Sequence, residues 1–333
     1  MNICCIGSGS IARMHAAVLA AAGHTLWSVV GRRPDQTAAF ARETGFRTSE
    51  TDVDAALADP ALEAVVIGSP SGLHVEHASK ALARGLPVLL EIPVALNVRQ
   101  ALALDQQARA AGVTLMAAHT RRFQPAMRAM RELVQSGRLT LHHVIQRYGF
   151  LRRENVNWVG YRRSWTDNLI WHHGGHAVDA LMWVAGATDA HVAVQIGPPG
   201  RTLGIPMDIA IGLKTPSGLI GNVALSYNTQ QPLDDALFIG EEDTVLADYA
   251  HGVLRGKDGV IFDAKMDAVV PTDVIAAQDA EFIAAVREGR PPQPGIGEVL
   301  PSLRVLQAAQ DAYDLEYGAP LAPAPSPPGS RRA

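Results

Sequence analysis

Residues 2–22 constrain this chain more than any other stretch. A short apolar run through Cys4, Cys5 and Ile6 leads into Gly7-Ser8-Gly9-Ser10-Ile11-Ala12, and an alanine-rich segment, residues 13–22, follows. A strand, a glycine turn and a helix in that order form a dinucleotide-binding fingerprint. Gly7 allows the tight turn. Gly9 lets the backbone approach a pyrophosphate, and Ala12 takes the small position where helix and strand pack closely. The amides of Ser8, Ser10 and Ile11 would stand at the positive end of the helix dipole, where a phosphate binds. An ordinary glycine turn is the alternative, but the position directly after a strand at the start of the chain favours the fingerprint.

The next strand, residues 26–30, ends in Gly31-Arg32-Arg33-Pro34. A unit built for NAD usually places Asp or Glu here, to bind the ribose 2′-hydroxyl. Glycine and two arginines suit a 2′-phosphate instead, because no carboxylate repels it and guanidinium groups pair with phosphate. Arg32 and Arg33 therefore favour NADP over NAD, against the reading that they merely line a solvated loop. Helices over residues 36–44, 74–84 and 97–111 then alternate with short apolar strands over 64–68, 87–90 and 113–117. This is the pattern of a mostly parallel sheet covered on both faces. Such a sheet binds ligands at the carboxyl ends of its strands. Gly9, Arg32, Ser69-Pro70, Glu91-Ile92-Pro93 and His119 fall at those ends. His74 opens a helix beside that crevice, as a cofactor contact or a cap. Arg122, in the hinge after His119, is a candidate clamp for an anionic substrate.

The pattern changes after residue 121. A helix over 126–136 precedes alternating runs at 141–150, 191–196, 207–214, 219–227, 236–240 and 244–248. Thr215-Pro216-Ser217-Gly218 between two of them reads as a hairpin turn. The expectation is an antiparallel or mixed sheet with helices on one face, closed by helices at 275–288 and 298–315. The domain division is 1–120 for the dinucleotide, 121–317 for substrate and oligomerisation, and a proline-rich disordered tail, 318–333.

Residues 147–179 hold the chemistry. They contain Arg147, Arg152, Arg153, Arg162 and Arg163, with Trp158, Trp165 and Trp171, and end in Trp171-His172-His173-Gly174-Gly175-His176-Ala177-Val178-Asp179. On a helix over 169–183, His172 and His176 share a face and Asp179 lies three beyond His176. A histidine oriented by a carboxylate is a good general base near neutral pH. Gly174 and Gly175 weaken such a helix by about 1 kcal/mol each, which points to close approach of a ligand. Core histidines are the bland alternative. A metal is disfavoured because no third ligand stands at a recognisable spacing. The net charge of -4 speaks against nucleic acid. Two adjacent cysteines, no basic leader before an apolar run and no apolar run of 18 residues suit a reduced, cytoplasmic protein without a membrane span.

Together, Gly7-x-Gly9-x-x-Ala12, Ser69-Pro70-Ser71-Gly72-Leu73-His74, Glu91-Ile92-Pro93 and Gly175-His176-x-x-Asp179 resemble the Gfo/Idh/MocA family of oxidoreductases. The resemblance covers nearly the whole chain apart from the tail. It implies a Rossmann domain followed by an α/β domain on an open, largely antiparallel sheet that often builds a homodimer or homotetramer. It also implies oxidation or reduction at a carbon bearing oxygen with NAD or NADP. His176 matches the family's catalytic histidine. Two departures stand out. The family's usual Glu-Lys-Pro is Glu91-Ile92-Pro93 here, with no lysine between Lys80 and Lys214. The acid often found four residues before the histidine is His172.

Glu91-Ile92-Pro93, His119-Thr120-Arg121-Arg122-Phe123, Arg163-Ser164-Trp165-Thr166-Asp167 and Trp171-His172-His173 resemble a narrower group of members. These use NADP to oxidise the cyclic hemiacetal of an acidic aromatic ring-cleavage product to a lactone. That resemblance implies His176 as base with Asp179 orienting it, and His172 or His173 as the alternative base. It also implies Arg122 and Arg163 as carboxylate anchors, Trp165 as a flat wall, and Asp167 orienting an arginine or a histidine. No metal enters this chemistry. A sugar or cyclitol dehydrogenase, or a nicotinamide-binding sensor without turnover, remains the alternative.

Overall fold

A computed structural model describes residues 1–156, 166–265 and 272–318. The chain opens with β1 (Asn2–Ile6), α1 (Ser10–Ala21), β2 (Thr25–Val30), α2 (Pro34–Thr44), β3 (Thr48–Glu50), α3 (Val53–Leu57), β4 (Ala64–Ile67), α4 (His74–Ala83), β5 (Val88–Glu91), α5 (Val98–Ala111) and β6 (Leu115–Ala118). It continues through α6 (Pro125–Gln135), β7 (Leu141–Gly149), α7 (His173–Ala185), β8 (His191–Ile196), β9 (Asp208–Lys214), β10 (Ile220–Ser226), β11 (Leu233–Gly240), β12 (Thr244–Asp248), β13 (Val253–Gly256) and β14 (Gly259–Asp263), and ends in α8 (Thr272–Glu288) and α9 (Ile296–Tyr317). Two compact units result, Met1–Pro125 with Met266–Leu303, and Ala126–Lys265 with Arg304–Ala333.

The first unit is a parallel sheet in the order β3-β2-β1-β4-β5-β6. Its strand order reverses between β1 and β4, which is where a doubly wound sheet binds its ligand. β4, β5 and β6 are buried at every residue, as expected of strands covered on both faces. Local signals set the helix ends. Asp52 caps α3 by accepting from the amides of Asp54 and Ala55, and Asn97 caps α5 by accepting from Gln100. Gly45 and Gly112 close α2 and α5 in the left-handed conformation. One apolar core joins Ala12, Ala16 and Leu19 of α1 to Val274, Ile275, Phe282 and Ile283 of α8. A helix from the far end of the sequence thus completes the nucleotide unit. Residues around Gly295 extend the sheet by an antiparallel bridge to Met116 and a hydrogen bond donated by the Ala117 N–H to the Pro294 carbonyl. Cys4 and Cys5 are buried and free, and burial pushes the Cys4 thiol up to about 12.

The second unit is a mixed sheet in the order β14-β13-β12-β11-β7-β10-β9-β8. Its pairs are antiparallel except β7 with β10. The Thr215–Gly218 turn joins β9 to β10 as an antiparallel hairpin, with Lys214 opposite Ile220. β9 and β10 alternate strictly between buried and more exposed residues, so one sheet face is covered and the other open. α7 packs on the covered face, where Leu181 fills the space beside Gly221 of β10. β3, β13 and β14 are additions to the strands read from sequence. β3 is three polar residues long and β14 is mostly exposed, so neither carries an apolar alternation. Among the described residues, no helix is long and apolar enough to cross a membrane.

Candidate active site

The first unit carries a glycine cradle. Gly7 follows β1 with φ +126°, a conformation open to glycine, and a Cβ there would lie 2.5 Å from the Gly68 carbonyl oxygen. The turn therefore locks against the end of β4. Gly9 caps α1 with ordinary extended backbone, and a Cβ built on it meets nothing within 4 Å. No side chain caps α1, so its N-terminal turn faces open space with the dipole end that favours an anion. Ala12 is fully buried. These features fit a dinucleotide pyrophosphate: Ser8, Gly9, Ser10 and Ile11 would hold it.

After β2, a Cβ on Gly31 would collide with the Thr37 hydroxyl at 2.3 Å and touch the Ser8 hydroxyl at 3.0 Å. The position is therefore filled by its neighbours and offers no side chain. Arg32 and Arg33 are exposed beyond it. Ser69 is held from two sides. His74 places Nε2 2.7 Å from the Ser69 carbonyl and Nδ1 2.8 Å from the Pro93 carbonyl, while His77 Nδ1 lies 2.9 Å from the Ser69 hydroxyl. His74 is buried and ties the loop after β4, Ser69-Pro70, to the loop after β5. Burial lowers the His77 pKa, so its ring is held neutral.

Beneath these loops lies a buried ionic triad. His15 of α1 sits 2.8 Å from Asp279 Oδ2 through Nδ1 and 3.0 Å from Glu91 Oε1 through Nε2. Desolvation opposes charge on this ring, but the Asp279 and Glu91 carboxylates outweigh it and raise its pKa to about 10. Gln278 reaches Asp279, and Thr120 donates to Gln278 at 2.9 Å. Nearby, His119 and Arg122 are buried, and Arg122 Nη2 donates to the Glu298 carbonyl at 3.0 Å. Arg122 is thus engaged with the backbone of α9, which limits its freedom as a clamp.

The second unit gathers the histidines. α7 begins at His173, not at residue 169, so His172 is its N-cap rather than a member of the helix. His172 and His176 nevertheless stay neighbours, with ring centroids 6.1 Å apart, and His172 stands perpendicular to His173 at 4.3 Å. Asp167 Oδ2 lies 4.0 Å from His172 Nδ1. His173 stacks on Tyr148 of β7 at 4.7 Å, meets the edge of Phe150, and bonds through Nδ1 to the Tyr227 hydroxyl. Tyr227 is fully buried, and burial pushes its phenol well above the ordinary tyrosine range. Asp179 is 1% exposed, one turn after His176. Trp171 is buried and donates to Gln310 at 2.9 Å, which anchors the approach to α7.

Gly174 has a packing reason. A Cβ there would lie 3.1 Å from the Leu169 carbonyl and 3.2 Å from Leu225. The chain itself supplies the close approach at that glycine. The arginines also separate. Tyr148 faces α7 with Val144 and Gln146, so Arg147 points to the opposite face of β7, where it pairs with Asp235 at 2.8 Å. Arg152 belongs to the histidine side: its guanidinium lies 4.9 Å over the Tyr227 ring and donates to Asn155. Arg163 and Trp165, with Trp158 and Arg162, lie outside the described residues. Among the described residues, no group of three or more His, Cys, Asp and Glu side chains could hold a metal ion.

Sequence reasoning missed His15, Asp279, Tyr148 and Tyr227. His15 left a signal, since it falls on the same helical stripe as the apolar Ala12, Ala16 and Leu19. Tyr227 left none, because its partnership with His173 depends on how β10 and α7 meet.

Comparison with known proteins agrees with this geometry. Residues 1–119 match the model for an oxidoreductase family with an NAD-binding Rossmann fold, and residues 125–267 match that for bacterial oxidoreductases, C-terminal. A 4-carboxy-2-hydroxymuconate-6-semialdehyde dehydrogenase of Sphingobium sp. (strain NBRC 103272 / SYK-6) is 36% identical over 92% of this chain and 96% of its own. The chain belongs to the Gfo/Idh/MocA family of oxidoreductases. A D-xylose 1-dehydrogenase (NADP(+)) 2 of Haloferax volcanii is 26% identical over 88% of this chain and 91% of its own. The fold matches a levoglucosan dehydrogenase solved with NADH and levoglucosan, at TM-score 0.82 and 18% identity, covering 95% of this chain and 98% of that one. This family member is accordingly an α/β oxidoreductase with a nicotinamide dinucleotide site on its parallel sheet.

Proposed function

We propose that this oxidoreductase uses NADP to oxidise the cyclic hemiacetal of 4-carboxy-2-hydroxymuconate-6-semialdehyde to 2-pyrone-4,6-dicarboxylate. The observation that carries the proposal is the 36% identity, along almost the full length of both chains, to a dehydrogenase of that name. The site chemistry supports it. A hemiacetal carbon already bears a hydroxyl and a hydrogen, so loss of a proton and a hydride gives the lactone directly. The nicotinamide, when bound, takes the hydride. His176 removes the hydroxyl proton, with Asp179 orienting it, and His172 beside Asp167 or His173 beside Tyr227 is the alternative base. Arg122 and Arg163 pair with the carboxylates, and Trp165 offers a flat wall to the ring. Asp167 orients His172. Gly31-Arg32-Arg33 supports NADP, because Gly31 has no room for an acid and both arginines are exposed. The reading places the enzyme in the cytoplasm, in the degradation of lignin-derived aromatics by protocatechuate 4,5-cleavage. It also makes the protein a homodimer or homotetramer, with the open face of the second sheet covered, where Ile220 and Leu246 are exposed.

A second reading, an aldose dehydrogenase, draws on the D-xylose 1-dehydrogenase relative. Absorbance at 340 nm separates the two. Freshly ring-cleaved protocatechuate with NADP should give rapid reduction, slower with NAD, and largely lost in His176→Ala. Arg32→Ala should narrow the NADP preference by about tenfold. Turnover of D-xylose but not of the semialdehyde would replace the first reading with the second.

A further inference from the structure

The His15–Glu91–Asp279 triad has no part in the chemistry above, and its charge does not cancel. Both ring nitrogens of His15 face carboxylate oxygens, at 2.8 Å to Asp279 and 3.0 Å to Glu91. A neutral imidazole has one N–H and could donate to only one of them. The ring is therefore an imidazolium, in agreement with the pKa raised to about 10 by the two carboxylates. One cation between two carboxylates leaves one net negative charge inside the nucleotide unit. The adjacent Ile92 is apolar and buried and supplies no compensating charge. Gln278, which contacts Asp279, is neutral. Cys5 lies close enough to feel both carboxylates, and burial holds its thiol protonated.

The triad is not equally deep throughout. The side chains of His15 and Asp279 are 1% and 3% exposed, whereas that of Glu91 is 12% exposed. Glu91 is the last residue of β5, and its Cγ lies 3.9 Å from where a Cβ on Gly68 would stand. Gly68 in turn abuts the Gly7 turn. Glu91 is thus the member that opens on the crevice at the strand ends. Topology says which part of a dinucleotide comes there. The exposed arginines after β2 mark the adenosine side, and the α1 N-terminus marks the pyrophosphate. The nicotinamide half then runs the other way, toward the ends of β4 and β5.

We propose that the His15–Glu91–Asp279 triad makes this site selective for the oxidation state of its cofactor, presenting net negative charge through Glu91 to a nicotinamide ring that is cationic when oxidised and neutral when reduced. Glu91 faces the ligand. His15 and Asp279 are positioning residues that fix its carboxylate and set the sum of charge. The device favours binding of the oxidised cofactor over the reduced one. It rests on the family's nicotinamide cofactor and not on the substrate named above.

Isothermal titration of the intact protein with NADP+ and NADPH, and with NAD+ and NADH, reads the effect as the ratio of the two dissociation constants within each pair. Glu91→Gln keeps the shape and removes the charge, and should weaken the oxidised form relative to the reduced by about tenfold, equivalent to about 1.4 kcal/mol. Glu91→Asp keeps the charge and should hold the ratio near that of the wild type. Ile92→Lys adds a cation beside an intact triad and should move the ratio in the same direction as Glu91→Gln. A purely structural triad would weaken both forms alike. A folded Glu91→Gln protein whose ratio stays within about twofold of the wild type overturns the proposal. If Glu91→Gln does not fold, an unchanged ratio in Ile92→Lys overturns it instead.

Discussion

Replacing Gly7 and Gly9 in turn by alanine tests whether the two glycines serve different masters. At Gly7 the backbone sits at φ +126°, where an L side chain is strained by about 1–3 kcal/mol. The new methyl would also stand 2.5 Å from the Gly68 carbonyl oxygen and 2.9 Å from the Ser69 amide nitrogen. Both are backbone atoms that cannot swing aside, and overpacking of that kind adds about 1–3 kcal/mol. Gly7→Ala should therefore lower stability by about 2–6 kcal/mol. Gly9 differs in each respect. Its φ of −91° suits any residue, and its Cβ position is open. Alanine is a poorer N-cap than glycine, but it also reduces the freedom of the unfolded chain by about 0.4–1 kcal/mol. Those effects offset to within about 0.5 kcal/mol. The methyl would instead occupy space meant for the pyrophosphate, so dinucleotide affinity should fall about tenfold or more. Urea unfolding followed by circular dichroism, beside a fluorescence titration with NADPH, measures both quantities on the same preparations. The reasoning fails if Gly9→Ala unfolds as easily as Gly7→Ala, or if it binds NADPH as tightly as the wild type.

Three further outcomes follow from buried groups. The His15 pKa is raised from 6.5 to about 10; its stabilisation is thus complete below about pH 6.5 and is lost as pH rises toward 10, at up to about 1.4 kcal/mol per pH unit. Urea titrations across that window should show declining stability, and a flat or rising profile contradicts the charged triad. His15→Gln should cost about 3–5 kcal/mol near neutral pH, because it strands two buried carboxylates. Tyr227→Phe removes the hydroxyl from His173 Nδ1 and should cost about 1–2 kcal/mol. It should also displace the pH–rate profile, and an unaltered profile would detach Tyr227 and His173 from the proton path.

The sequence by itself determined the parts whose signals are local. The glycine fingerprint, the apolar strands β4 to β6 and the Thr215–Gly218 hairpin all depend on neighbours a few residues away, and short-range sterics and hydrogen bonds decide them. The three histidines and the departure at Ile92 were equally legible, because residue type alone carries them. Tertiary structure decided what depends on partners distant along the chain. An apolar stripe says that residues 275–288 form a helix but not that the helix packs on α1, and only that packing brings Asp279 to His15, 264 positions earlier. The parallel pairing of β7 with β10 sets Tyr227 beside His173 and turns Arg147 to the other face of the sheet. The space beside Gly174 is taken by Leu169 and Leu225, which only the folded chain brings there. Long-range partners explain the division: the charge on His15 comes from the Asp279 and Glu91 carboxylates, and the high pKa of Tyr227 from water excluded by segments that no local pattern names.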